Sequence, residues 1–243
     1  MKTSWLIGIG LLAYGLSLIL QLPAAQLITW ADVPGLQAYG LQGQAINGQA
    51  SLVQWRGWRF EHVTWDWRPV ALLAGKLEAN VAFHGSDNQG HGRVGMDLTQ
   101  NYYLADLSAQ LPVTALAPLW QPLPLRLAGR VDAAVEQVVW SKNGLVQLAG
   151  QLQLKGAAWE NNPPLPLGNY TLTLENHGGN AAGTLTSPEG PLEIHGQLGL
   201  DRKGSWQITG HISPRPEASP SLRQALTILG PADREGKIPI TYN

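Results

Sequence analysis

Histidine is the side chain best suited to proton transfer and metal ligation near neutral pH. The 243-residue sequence holds six: His62, His84, His91, His177, His195 and His211. None belongs to an HExxH motif or to another ligand pair at helical spacing. His84 and His91 flank a polar turn with Asp87 and read as part of an exposed turn, not as a metal site. His195 and His211 fall on the polar positions of alternating stretches, where solvation explains them. There is no cysteine, which excludes thiol catalysis and disulfides but does not place the compartment. No GxSxG, phosphate-binding loop or dinucleotide fingerprint is present. Asp66, between Trp65 and Trp67, projects away from both rings if the stretch is a strand and keeps that face wet. "NYT" at 169–171 fits the glycosylation pattern, which is common by chance. The sequence therefore assigns no catalytic residue, no metal and no cofactor, and it reads as a protein that is not an enzyme.

The most unusual stretch is "WRGWRFEHVTWDWRP" at 55–69. Trp55, Trp58, Trp65 and Trp67 interleave with Arg56, Arg59 and Arg68. Both residue types are enriched at protein–protein interfaces, so these seven form a candidate partner surface. The other reading is a strand pair packed by tryptophan, with arginines over the ring faces.

Elements that could position such groups are legible as period-two alternation. In "LVQLAGQLQLKG" (145–156), Val146, Leu148, Leu152 and Leu154 alternate with polar residues, as in a strand with one wet face. Gly150 interrupts the apolar side. The same apolar-x-Gly-x-apolar pattern recurs around Gly43, Gly75, Gly129, Gly196 and Gly210. Glycine in a strand is favoured where the sheet bends or where a bulky group lies over the backbone. Two consequences are open. The glycines could admit curvature and tryptophan packing, or they could floor a groove for an apolar ligand, lined by Leu148, Gly150, Leu152, Leu172, Ile194, Gly196, Ile208 and Gly210. Short turns rich in Gly, Asn, Asp and Ser separate roughly a dozen strands. The predicted fold is mainly β: an N-terminal transmembrane helix followed by a long, curved, largely antiparallel meander with one or two short helices. "SPSLRQALTILGP" (219–231) is the clearest helix, with Ser219 as cap and Pro220 in the first turn. "VTALAPLW" (113–120) reads as a short helix or turn, and "PLWQPLPL" (118–125) as a loop within a single sheet.

Residues 3–31 contain no charge. The core of this run, "WLIGIGLLAYGLSLIL" (5–20), continues less strongly to Trp30 and is long enough to cross a bilayer as a helix. It exceeds the usual apolar stretch of a cleaved signal peptide, and no clean small-x-small site follows it. We read residues 1–31 as a cytoplasmic stub and signal anchor, with Lys2 on the cytoplasmic side. Residues 32–243 then form a β-rich domain outside the cytoplasm. The remaining composition fits such a domain: 28 glycines, 17 prolines and a net charge of −1. No basic patch stands out, so nucleic acid is an unsuitable partner.

An ordered set of stretches resembles the type II secretion system protein N family. It comprises "GLQGQAINGQA" (40–50), "VTWDWRPVALLAGKL" (63–77), "LPLRLAGRV" (123–131), "GPLEIHGQLGLDRKGSWQITGHISPR" (190–215) and "LTILGPADREGKIPITY" (226–242), all behind one N-terminal span. At Ile46 and Asn47 the chain departs from the family's usual aromatic. The resemblance implies an accessory component of an envelope-spanning machine that exports folded proteins across the outer membrane. It implies an inner-membrane anchor, a periplasmic bulk and other secretion components as partners, and it carries no catalytic residues. The residues by themselves keep a second class open, a periplasmic β-groove that binds or carries a lipid or other apolar ligand.

Overall fold

Alternation of apolar and polar residues runs through a computed structural model as fourteen strands of one sheet. The structure describes residues 22–26, 34–119, 127–160, 163–177, 180–200, 206–227, 230–233 and 236–242. In chain order the elements are β1 (Leu36–Tyr39), β2 (Gln42–Gly43), β3 (Asn47–Trp55), β4 (Trp58–Trp67), the 3-10 helix η1 (Pro69–Ala74), β5 (Lys76–His84), β6 (Gln89–Asp97), β7 (Tyr102–Pro112) and a second 3-10 helix, η2 (Val113–Leu119). They continue as β8 (Leu127–Ser141), β9 (Gly144–Trp159), β10 (Leu165–His177), β11 (Asn180–Glu189), β12 (Leu192–Leu200), β13 (Trp206–Pro214), the α-helix α1 (Pro220–Leu226) and β14 (Ile238–Tyr242). Every pairing is antiparallel, and from β3 onward each strand pairs with its neighbours in sequence. β1 and β2 share one side of β3. The sheet is open, with β1 and β14 at its ends.

Register explains the spacing of the glycines. One row crosses ten strands: Phe83, Gly90, Ala109, Ala133, Leu152, Leu172, Leu185, Gly196, Gly210 and Ile240. Large and small residues share this one apolar face. Gly150 lies opposite Val135 and Leu174, where the β8–β9 register shifts. A Cβ there would lie 2.7 Å from both Val135 Cα and Ala134 O. The neighbouring strand's backbone occupies the space, as expected at a bulge.

Two of the predicted strand glycines belong elsewhere. Gly75 caps η1 in the left-handed region at φ 68°, so Leu73, Gly75 and Leu77 share no strand. Pro69 starts a helical turn where alternation alone predicted a strand. Gly43 ends a two-residue strand at φ 86°, and Leu41 and Ala45 fall outside it. In the 219–231 segment the helix forms with the expected cap but covers only Pro220–Leu226, and residues 228–229 lie outside the described residues. Ser219 Oγ accepts from the Leu222 amide, and Leu222 and Leu226 are buried. Of the 113–120 segment, residues 113–119 form η2, and Trp120 lies outside the described residues.

Two covers lie on the apolar face. η2 places Ala115 and Leu116 beside Trp58, Phe83, Ala109, Leu111, Ala133 and Leu152. α1 packs Leu222 and Leu226 onto Leu192, Ile212 and Ile238. Leu127 of β8 and Ile212 of β13 border one apolar cavity of about 280 Å³ under α1. Five strand spacings of a flat sheet would separate them by about 24 Å, so the sheet curls around this helix.

The predicted membrane span at 5–20 and most of the 1–31 segment lie outside the described residues, as do residues 120–125 of the predicted loop at 118–125, residues 178–179 of the turn expected at "ENHGGN" (175–180) and the turn expected at "DRKG" (201–204). Among the described residues no helix is long and apolar enough to cross a membrane.

Gly150→Ala is expected to destabilise the chain by about 1–3 kcal/mol through overpacking against backbone. At Gly199 only Gln207 O approaches an added Cβ, at 4.0 Å. Gly199→Ala is therefore expected to be neutral or stabilising by up to about 1 kcal/mol. Chemical unfolding of the two full-length variants in detergent checks both.

Candidate functional site

Successive hairpins sort the loops to two ends of the sheet. The β3–β4 turn, the β5–β6 turn at 85–88, η2 and α1 lie at one end. η1, the β6–β7 turn at 98–101 and the β8–β9 turn at 142–143 lie at the other.

This sorting divides the seven aromatic-cluster residues. Trp55, Arg56 and Arg59 are exposed at the β3–β4 hairpin. Arg56 adopts φ 46° in the turn, and its guanidinium carbon sits 5.3 Å from the Trp55 ring centroid. Trp58 turns inward, stacks with Phe60 at 6.2 Å and joins the η2 cluster. Trp65 is half-buried at the far end and donates from Nε1 to Ala45 O at 3.1 Å. Trp67 is half-buried beside it. Arg68 pairs with Glu78. The stretch thus supplies both core and surface, and three of its seven residues form one exposed tip.

Spacing did not reveal the network around Glu78. Its side chain is 5% exposed. Arg68, just after β4, and Arg93 from β6 both bond its carboxylate. Tyr103 Oη of β7 donates to Glu78 Oε2 at 2.9 Å. Arg93 Nε also donates to Asp106 Oδ2 at 2.8 Å. Burial pushes the Glu78 carboxyl up, but the Tyr103 hydroxyl and the two guanidiniums outweigh it and hold it below the ordinary 4.5. Burial, with the adjacent Glu78 charge, pushes the Tyr103 hydroxyl up to about 12. The network ties four strands together on the face opposite the apolar rows. No sequence pattern announces it, because its members come from positions 68, 78, 93, 103 and 106.

His195 and His211 occupy directly opposed positions on β12 and β13, with ring centroids 5.4 Å apart. His195 Nε2 lies 3.2 Å from Glu193 Oε1. His195 is exposed, in keeping with a polar face. Among the described residues no group of three or more His, Asp or Glu side chains is arranged to hold a metal ion. His84 and Asp87 sit at the exposed β5–β6 hairpin, as expected. Asn169 of the "NYT" motif lies within β10, and its Oδ1 accepts from the Gly156 amide at 2.8 Å.

The register puts all eight groove residues on the apolar face. They do not converge on one hollow. Leu152 packs toward η2, and Gly150, Gly196 and Gly210 lie against depressions bordered by polar residues. Of the eight, only Ile194 borders the cavity under α1, where Leu154, Ala157, Leu167, Tyr170, Leu222 and Leu226 are among its neighbours. Tyr170 donates to Leu167 O at 2.5 Å, and burial raises its hydroxyl to about 12.

These features define an open, single-sheet β protein with partial helical covers. The chain belongs to the type II secretion system protein N family, whose model matches residues 34–241. It is 30% identical to the type II secretion system protein N of Vibrio cholerae serotype O1, over 92% of this chain and 90% of that protein. It is 26% identical to the protein of the same name from Aeromonas hydrophila, over 96% and 94%. No solved structure matches the chain.

Glu78→Gln keeps the shape but removes the charge that the two arginines and Tyr103 address. It is expected to cost about 1–3 kcal/mol at neutral pH. A carboxyl held below 4.5 in the fold contributes stability that is present above pH 4.5 and lost as pH falls through its folded value. Wild-type stability should therefore drop on acidification below pH 4.5, and Glu78→Gln should flatten that part of the profile. Tyr103 acts in the opposite range: its contribution is complete below pH 10 and fades as pH rises toward 12. Unfolding midpoints across pH check both limbs.

Proposed function

We propose that this chain is an accessory inner-membrane component of the type II secretion system that assists export of folded proteins across the outer membrane by docking other envelope components. Family membership supports a role in type II secretion, a protein-transport process. In this reading residues 1–31 are a cytoplasmic stub and single span, and residues 32–243 are a periplasmic domain. The observation that carries the docking role is the exposed tip of Trp55, Arg56 and Arg59, a combination enriched in interface hot spots. Its neighbours Trp58 and Phe60 are packed below it, so the tip stands on a fixed base.

The sheet edges suit pairing less well. β1 has four residues and β14 five, and β14 includes Pro239. Short edges and proline discourage strand addition. The tip is therefore the preferred docking surface.

A photo-crosslinking residue at Arg59 of the full chain is expected to capture another secretion component, whereas one at exposed Gln207 on β13 is not. The double substitution Trp55→Ala with Arg59→Ala should lower secretion about tenfold or more at unchanged protein level, the size set by losing one or two interface anchors. Unchanged secretion together with no crosslink at Arg59 overturns the docking surface.

A further inference from the structure

The most exposed large apolar side chains are not scattered. Four exceed 60% exposure among the described residues: Leu73 at 90%, Leu98 at 85%, Val70 at 71% and Tyr102 at 63%. Val70 and Leu73 belong to η1, Leu98 to the β6–β7 turn, and Tyr102 begins β7, all at one end of the sheet. Leu72, Leu77, Val94 and Trp140 extend the exposed set there. Register joins part of it into one row on the apolar face: Leu77, Met96, Tyr102 and Trp140. Neither η2 nor α1 covers this region, since both pack at the other end.

The presentation of these residues is built in. Gly75 closes η1 in the left-handed region, and its amide donates to Leu72 O. Asp97 Oδ1 accepts from the Thr99 amide, the Thr99 hydroxyl and the Asn101 amide, which fixes the turn that carries Leu98. Leu98 lies against Gly75, so a Cβ on that glycine would fall 2.7 Å from Leu98 Cδ1. The two loops thus form one apolar prow. Exposed Lys76 and Lys142 stand at the same end.

The chain itself says what lies against this prow. Residues 3–31 are uncharged, and their apolar core ends just before Leu22. Leu22 O accepts from the Ala45 amide, and Pro23 bridges Gln44. Ile46, next along, accepts from the Trp67 amide, and η1 begins two residues after Trp67. The apolar segment therefore joins the sheet at the end that bears η1 and Leu98.

We propose that this end of the sheet rests on a phospholipid bilayer, with Leu73, Leu98 and Val70 entering the interfacial layer and Tyr102 at its polar boundary. The inference rests on the reading of residues 5–20 as a membrane span and adds a second contact to it. Apolar side chains entering to a depth of about 5–10 Å, with nearby lysines facing anionic headgroups, are the general chemistry of interfacial binding. A single span alone leaves the domain able to tumble on its tether. The second contact fixes its orientation, with the Trp55–Arg56–Arg59 tip directed away from the membrane.

The absence of cysteine allows single-site labelling. The full chain is placed in vesicles of phosphatidylethanolamine and phosphatidylglycerol, with one environment-sensitive fluorophore on Leu73→Cys, Leu98→Cys, Leu12→Cys or Asp87→Cys. Lipids carrying a shallow nitroxide are expected to remove most of the fluorescence at Leu73 and Leu98. A deep nitroxide should quench Leu12, and neither should quench Asp87, at the opposite end. Quenching at Leu12 without quenching at Leu73 and Leu98 overturns the second contact and leaves the span standing. Absence of quenching at all three overturns both. Emission at Leu73 that is blue-shifted but insensitive to either nitroxide overturns the lipid contact in favour of a protein occupant.

Discussion

A single sheet, its strands paired with their sequence neighbours from β3 onward, has one apolar face and no second sheet to bury it against. That constraint shapes the rest of this molecule. Burial on that face comes from side chains reaching across a curled surface and from two small covers. η2 shields the region of Ala109, Leu111 and Ala133, and α1 shields the region of Leu192, Ile212 and Ile238. Curling is what lets β8 and β13 border one cavity. The remaining apolar surface stays open at one end, where η1 and the 98–101 turn add to it instead of covering it.

The opposite face of β4–β7 solves a different problem. At the η1 end of these strands neither η2 nor α1 reaches the apolar face, and such a region depends on cross-strand side-chain pairs. Glu78 gathers Arg68, Arg93 and Tyr103, and Arg93 passes the connection to Asp106. Such a network is costly to bury when incomplete and rigidifying when satisfied. It lies directly below η1, because the Arg68 amide also donates to Glu78 O. The apolar prow therefore stands on the most heavily cross-linked polar part of the sheet.

Much of the fold was legible because period two survives translation into structure. The meander, α1 with its Ser219 cap and the pairing of β7 with β8 in one sheet all follow from local residue patterns. Most of what sequence missed depends on register, and one miss is local. Gly75 looks like a strand glycine until Pro69 starts a helical turn ahead of it. The Glu78 network becomes visible only when residues up to 38 positions apart in sequence, Arg68 to Asp106, are aligned side by side. In the 55–69 stretch, composition singled out the tryptophan–arginine cluster. It did not show that strand direction would send Trp55 and Trp65 toward opposite ends. For the eight groove positions, alternation gave the shared face, while their dispersal among separate neighbours needed three dimensions.

Neighbour-only pairing also sets the order in which the molecule can assemble. Each new hairpin finds its template in the strand made just before it, and from β3 onward none waits for a distant segment to arrive. The growing sheet always has one incomplete border, which the next strand occupies. β14 ends that series with a short, proline-bearing strand that offers little to a further one. The polypeptide can thus acquire its shape in the direction in which it is delivered.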